Sequence, residues 1–328
     1  MSVQRPSEDS LIARFFAPIA GEGALNLKDD AACLTPEPGH DLVLTMDALV
    51  ERVHFLPEDP PGSIARKALG VNVSDLAAKG AEPSGFLLSL ALPDDWSENW
   101  LSGFAAGLGE ASRDFACPLL GGDTVRARGP LTLSVTAVGQ VPTGRMVLRT
   151  TARAGDVLCL TGTIGDAAFG LKLRSKPGWA ENLSSDERAH LADRYLHPQP
   201  RHRLAAALRS HASAAMDVSD GLAGDLAKMM RASGVAAVVE ANQVPLSVAA
   251  AKAVQASPDL LDLALTGGDD YEILCTVPEK NLDSFSKDAD RVGVALSVIG
   301  RVVSGHDRPV FRMNGLERRY DVGSYQHF

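Results

Sequence analysis

The stretch MDVSDGLAGDL, residues 216–226, sets Asp217, Asp220 and Asp225 close together, and the nearest Lys or Arg is Lys228. Clustered carboxylates repel one another and are costly to take out of water uncompensated, so solvent, a helix N-terminus or a bound cation must answer them. The arrangement recurs along the chain: an apolar run ends in Ser, Thr or Gly, and an acid follows. LVLTMD ends at Asp47, CPLLGGD at Asp123, AAMDVSD at Asp217 and Asp220, and DLALTGGDD at Asp269 and Asp270; in NLKDDAACL, Asp29 and Asp30 precede an apolar stretch. Acids at strand ends sit on the rim of a sheet, where loops build binding sites. Asp75 shares one face of a predicted helix with Ile64, Ala68, Val71 and Ala78, which points it inward, where an acid needs a cation.

Taken singly, each acid reads as a turn former or helix cap; Asp220 could cap the helix after it, and Asp225, one turn further on, reads as a surface residue. Taken together, oxygen ligands in number select a hard cation, and Mg²⁺ usually arrives bridging substrate phosphates. An EF-hand is excluded, because counting Asp217 as position 1 puts Leu222 where Gly is needed and Lys228 where the bidentate Glu is needed. No Gly-Lys dipeptide and no G-x-G-x-x-G occurs, so any nucleotide must be held by metals and glycine backbone instead of a P-loop lysine. None of the eight histidines sits in a convincing general-base constellation.

The elements that must position these acids alternate between strand-like and helix-like patterns, which predicts an α/β or α+β class. Strands are expected at 41–45, 85–92, 131–141 and 156–162. Helices are expected at 63–80, with Ser63 as cap and Gly80 as stop, at 96–115, and at 221–234, where Leu222, Leu226, Met229 and Met230 form one stripe. VPTGRMVLRTTARAGD (141–156) reads as a connector between domains, and SKPGWAENLSSDERAH (175–190) as a polar surface excursion.

The 328 residues suffice for two domains and substantial cores. With 45% hydrophobic and 22% charged residues the chain is globular in composition, while a net charge of −9 and 5% aromatics argue against nucleic-acid binding. Four cysteines, Cys33, Cys117, Cys159 and Cys275, form no CxxC pair, which fits a reduced protein. The N-terminus lacks the apolar run of a signal peptide and GFLLSLALP (85–93) is too short to span a bilayer, so a cytoplasmic protein with no membrane partner is expected.

DDAACL, TMDALVERVHF, KALGVNVSDLAAKGAEPSGFLLSLALP, LLGGDT, MDVSDGLAGDL and TGGDDYEIL occur in that order, and together they resemble the thiamine-monophosphate kinase family from about residue 7 to the C-terminal GSYQHF. The resemblance implies the α/β (α+β) two-domain fold of the aminoimidazole ribonucleotide synthetase-like superfamily. An N-terminal mixed α/β domain (1–148) would bind ATP and Mg²⁺ and pair its sheet with a twin in a homodimer; a C-terminal α/β domain (149–328) would follow. The implied reaction is ATP-dependent phosphorylation of thiamine monophosphate to thiamine diphosphate by in-line transfer, with no general base. Two alternatives are a sister ATP-dependent enzyme acting on an amide or selenide and a non-catalytic acidic metal-binding protein.

Carried over by motif, Asp30, Thr45, Met46, Asp47, Asp75, Asp123, Asp217 and Asp220 would surround several Mg²⁺ ions. Met46 stands where a hydroxyl residue is common, so only its carbonyl could serve. Phe104, Gly122, Asp123, Arg149 and Ser219 match ATP-contacting positions, with Phe104 where the family often has Tyr. His54, Glu272 and Tyr325 match positions that hold thiamine monophosphate. Lys79 replaces a usually apolar residue and is given no role.

Overall fold

The structure, a computed structural model, describes residues 7–320 and divides into two compact units, one of residues up to Leu76 with Ala81–Gly144, the other of Ala77–Gly80 with residues from Arg145 onward. The division at Gly144/Arg145 falls inside the 141–156 connector.

In the first unit a short helix α1 (Glu8–Leu11) precedes β1 (His40–Val50), α2 (Pro61–Ala78), β2 (Glu82–Leu92), α3 (Glu98–Asp114), β3 (Leu119–Arg126) and β4 (Thr132–Pro142). The four strands form one sheet in the order β1-β4-β2-β3, antiparallel except for β2 and β3, which are parallel and joined through α3. Strand β1 runs well beyond the expected 41–45. Its alternation buries Val43 and Leu49 and leaves Leu42, Leu44 and Met46 exposed on the other face. Helix α2 begins with proline, which suits a first helical position, and is buried nearly all round, polar Lys67, Asn72 and Ser74 included; Ala65, Ala68, Leu69, Val73 and Leu76 are fully buried. Ser97 caps α3 by accepting from the Trp100 amide.

LLGGDT, read in the sequence as a strand end and turn, is strand interior: Asp123 lies within β3 opposite Ser89. The glycine before it has a steric reason, since a Cβ at Gly122 would stand 1.9 Å from the Leu88 carbonyl oxygen.

The second unit contains β5 (Val157–Thr161), α4 (Asp166–Leu173), α5 (Ser185–Leu196), α6 (Ala205–His211), β6 (Ala214–Asp217), α7 (Leu222–Ser233), β7 (Ala236–Glu240), α8 (Val248–Ala256), α9 (Leu260–Thr266), β8 (Ile273–Val277), α10 (Leu282–Arg291), β9 (Leu296–Val303), β10 (Val310–Met313) and β11 (Leu316–Arg318). Its seven-stranded sheet runs β11-β10-β7-β9-β5-β8-β6 and carries an apolar core on each face. Strands β5, β6 and β8 are buried throughout, so their ends can present polar groups only where the chain leaves the sheet.

The expected polar surface excursion at 175–190 is largely exposed, with Ala180 and Leu183 buried. It contains the start of α5, fixed by a capping box in which Ser184 Oγ accepts from the Glu187 amide and the Glu187 carboxylate accepts from the Ser184 amide. Among the described residues, no helix is long and apolar enough to cross a membrane.

Candidate active site

In the first unit, strand alternation divides the expected ligands between two faces. Thr45 and Asp47 point to the α2 side of β1, where Thr45 Oγ1 donates to Asp75 Oδ2 at 2.5 Å and the Asp47 amide donates to Asn72 Oδ1 at 3.1 Å. Asn72 is fully buried and its Nδ2 donates to the Ala68 carbonyl, so one side chain ties strand to helix at the position of Asp47. Asn72 is a site residue that the sequence reading passes over; an Asn on the buried side of an apolar helix is the available signal.

Met46 points to the opposite face. There it joins Asp30, Gly122 and Asp123 in lining a cavity of about 680 Å³, walled by Phe16, Leu27 and Leu87. Asp30 and Asp123 are exposed, and among the described residues neither carboxylate has an ion-pair partner. Strands β1 and β3 form opposite edges of the sheet. Three strand spacings, about 14 Å, therefore separate Asp47 from Asp123, in addition to the sheet itself.

His54 follows β1. The Val50 amide donates to its Nδ1 at 3.0 Å, so Nδ1 is the acceptor and the ring proton sits on Nε2. Phe104 is corrected from a ligand contact to a core residue: it is 0% exposed and stacks on Trp100 with ring centroids 5.2 Å apart.

In the second unit two motifs interlock through their backbones. The Val218 amide donates to the Glu272 carbonyl, the Tyr271 amide to the Val218 carbonyl and the Asp269 amide to the Ser219 carbonyl, each at 2.8 Å. A Cβ on Gly268 would approach the Ser219 carbonyl to 2.4 Å, so TGGDDYE can close on DVSDG only with glycine there. Asp269 and Tyr271 take positive φ of 71° and 51°, a strained backbone that the surrounding hydrogen bonds hold in place.

Asp225 is corrected from a surface residue to a buried one. It is 0% exposed, and its Oδ2 accepts the amides of both Ser219 (3.1 Å) and Asp220 (2.9 Å). Burial pushes its carboxyl above the ordinary value, and the Lys228 hydrogen bond opposes that rise. Nor do the acids of this stretch lack a basic partner: Lys228 Nζ stands 2.5 Å from Asp220 Oδ2 and 2.8 Å from Asp225 Oδ1. Asp217, the last residue of β6, is 6% exposed.

Glu272 is fully buried. Its oxygens accept from Arg194 Nη2 at 2.9 Å, from Arg201 Nε at 2.7 Å and again from Arg201 Nη2, and from Thr161 Oγ1 at 2.7 Å. A carboxylate so engaged anchors β5, α5 and β8 to one another and presents no free oxygen to a ligand. Arg194 and Arg201 escape the sequence reading, because the segment leading into the helix that carries Arg194 is polar enough to read as surface. Arg149 is exposed, its guanidinium has no partner among the described residues, and it flanks β6 through the hydrogen bond from the Ala215 amide to the Leu148 carbonyl. Lys79 Nζ donates to the Ala215 carbonyl at 2.7 Å, a structural role for a residue to which the motifs give none. Tyr325 lies outside the described residues.

The donors at the expected metal positions are carboxylates, a hydroxyl and a carbonyl, the hard-oxygen set that suits Mg²⁺. Among the described residues no group of three His, Cys, Asp or Glu side chains stands close enough to hold a metal. Mg²⁺ commonly takes one or two protein carboxylates and completes its shell with water and substrate phosphate.

Comparison with known proteins matches residues 28–141 to the N-terminal domain and 153–311 to the C-terminal domain of AIR synthase related proteins. A thiamine-monophosphate kinase of Caulobacter vibrioides is 42% identical over 305 residues, 92% of this chain and 85% of the relative. The crystal structure of thiamine-monophosphate kinase from Stenotrophomonas maltophilia K279a superposes with a TM-score of 0.80 at 40% identity, covering 88% of this chain and 90% of that one. AaThiL complexed with AMPPCP and TMP gives a TM-score of 0.78 at 30% identity, covering 92% and 91%. With the DVSDG and TGGDDYE loops interlocked and both domains matched, the chain belongs to the thiamine-monophosphate kinase family of AIR synthase related proteins.

Proposed function

We propose that this chain transfers the γ-phosphoryl group of ATP to the phosphate of thiamine monophosphate, giving thiamine diphosphate and ADP. The reading is carried by its 42% identity to a thiamine-monophosphate kinase across 92% of its length. It is supported by a shared fold with AaThiL, which was crystallised with AMPPCP and TMP. The first unit's cavity, about 680 Å³ with an apolar wall and an acidic, glycine-edged rim, is of a size and character to take a nucleotide.

Mg²⁺ bound with ATP would be held by Asp30, Asp47, Asp75, Asp123, Asp217 and Asp220, with Thr45 and the Met46 carbonyl, and would neutralise the phosphates and align them for in-line transfer. The acceptor is a phosphate monoester with a second pKa of about 6, already ionised near neutrality, so no general base has to be found. Arg149, with an uncommitted guanidinium, and Ser219 are assigned to ATP, and His54 and Tyr325 to thiamine monophosphate. Glu272 acts through Arg194 and Arg201 and does not touch the ligand.

A second copy of the chain would complete the cavity on the Met46 and Asp123 face. One sheet cannot bring Asp47 and Asp75 on one face and edge to the same ion as Asp123 on the other. A homodimer packed on the exposed Leu42, Leu44 and Met46 face would wall the cavity on the Met46 and Asp123 side, leaving Asp47 and Asp75 to hold ions of their own.

The test is purified protein with ATP, Mg²⁺ and thiamine monophosphate, following thiamine diphosphate and ADP. Asp47→Asn and Asp217→Asn are expected to fold normally and lose turnover by at least about a hundredfold. Wild-type rates in both would end the metal assignment. ATP consumed without thiamine diphosphate would point to a sister enzyme of the superfamily.

A further inference from the structure

Lys228 touches two carboxylates in very different settings. Asp225 is 1% exposed at its side chain and carries the amides of Ser219 and Asp220; the Asp220 side chain is 38% exposed and Lys228 itself 34%. An ammonium on a flexible four-carbon stem is a compact point charge with rotatable donors, so it can release one acceptor and keep the other. The buried contact to Asp225 is the one to keep, because breaking it strands a desolvated charge. The contact to Asp220 is open to solvent and therefore open to competition.

We propose that Lys228 is the built-in counter-ion of Asp220: it neutralises this carboxylate in the metal-free enzyme, and a divalent cation entering the site must displace it. The inference rests on the reading of Asp220 as a metal ligand. Two features make the exchange work without reshaping the loop. The Asp220 amide is bonded to Asp225 Oδ2, so the backbone under the carboxylate stays where it is when the ammonium leaves. The departing ammonium retains Asp225 Oδ1 at 2.8 Å and so remains nearby as a positive charge. A lysine in this place holds mutually repelling acids together while the site is empty, at the cost of weaker metal binding, and ties cation affinity to the arrival of phosphate oxygens that help pull the metal in. Lys228 is thus a positioning residue that sets metal affinity, not a ligand.

Binding of Mn²⁺ alone, followed by electron paramagnetic resonance of the free ion, tests this without turnover. Lys228→Gln removes the charge and retains a hydrogen-bond donor for Asp225; it is expected to bind Mn²⁺ about fivefold tighter than wild type. Lys228→Arg, which keeps the charge, is expected to bind as wild type does, and Asp220→Asn more weakly. If Asp220→Asn weakens binding but Lys228→Gln does not tighten it, the counter-ion role falls and the metal reading stands. If Asp220→Asn leaves binding unchanged, both fall for this residue. Should Lys228→Gln fail to fold, acylation of wild-type lysines read by mass spectrometry replaces it: modification of Lys228 is expected to accelerate on adding Mn²⁺, and an unchanged rate overturns the proposal.

Discussion

Asp270 is 2% exposed and held by the Gly165 amide, which donates to both of its oxygens at 3.0 and 2.9 Å. Burial drives its carboxyl well above the ordinary 3.8, with Asp166 and Glu272 adding repulsion and the Gly165 bond and Arg194 working the other way. The folded protein therefore holds this proton more tightly than the unfolded chain does. Its contribution to stability is fully present below pH 3.8 and is lost as pH climbs toward the raised value. Asp270→Asn has nothing to titrate at that point, so its melting temperature should gain on wild type as pH rises from 4 to 8 and meet it at the acid end; parallel curves would refute the burial argument. The sequence places Asp269 and Asp270 together at a strand end; the apolar run before them is instead helix α9, and both acids lie in the loop that leads into β8. The sequence does not separate the strained, loop-bound Asp269 from the buried Asp270, and it puts Asp225 on the surface. Both distinctions depend on which backbone amides are left without partners in the fold, and side-chain periodicity carries no trace of that.

At the scale of elements, hydrophobic periodicity is enough for α2, α3, α7, β2, β4 and β5, since each buries a continuous face. It is not enough for β3, where two glycines and an aspartate look like a turn, or for α5, whose mean polarity hides a capping box and a buried Arg194. The reason glycine occupies position 122 is packing between strands, and this is testable. A Cβ at Gly122 would meet the Leu88 carbonyl at 1.9 Å, so Gly122→Ala must push β3 off β2 and is expected to cost about 2 kcal/mol or more. Gly129, where an added Cβ would meet nothing within 4 Å, is the control, and Gly129→Ala should stay within about 0.5 kcal/mol of wild type. Urea midpoints compare the two; equal midpoints would mean that the glycine in GGD serves the ligand and not the sheet.

On the scale of the whole molecule, the four-stranded sheet has one face covered by α2 and α3 and another on which Leu44 and Met46 are each 65% exposed and Leu42 is 42% exposed. An apolar strip of this kind along an edge strand invites a second sheet. The same strand alternation that exposes Leu44 turns Thr45 and Asp47 to the other side, so apolar contact and acidic chemistry are specified by one run of sequence, LVLTMD. If a second copy covers the strip, Leu44→Glu should produce a monomer in sedimentation velocity at concentrations where wild type is dimeric. Because Leu44 is not among the proposed ligands and is already solvent-facing within one chain, the variant should melt as a folded protein. Its turnover should fall together with its dimer fraction and recover as protein concentration is raised. A monomeric Leu44→Glu protein with full activity would mean that one chain carries the whole site by itself and that the apolar strip serves another contact.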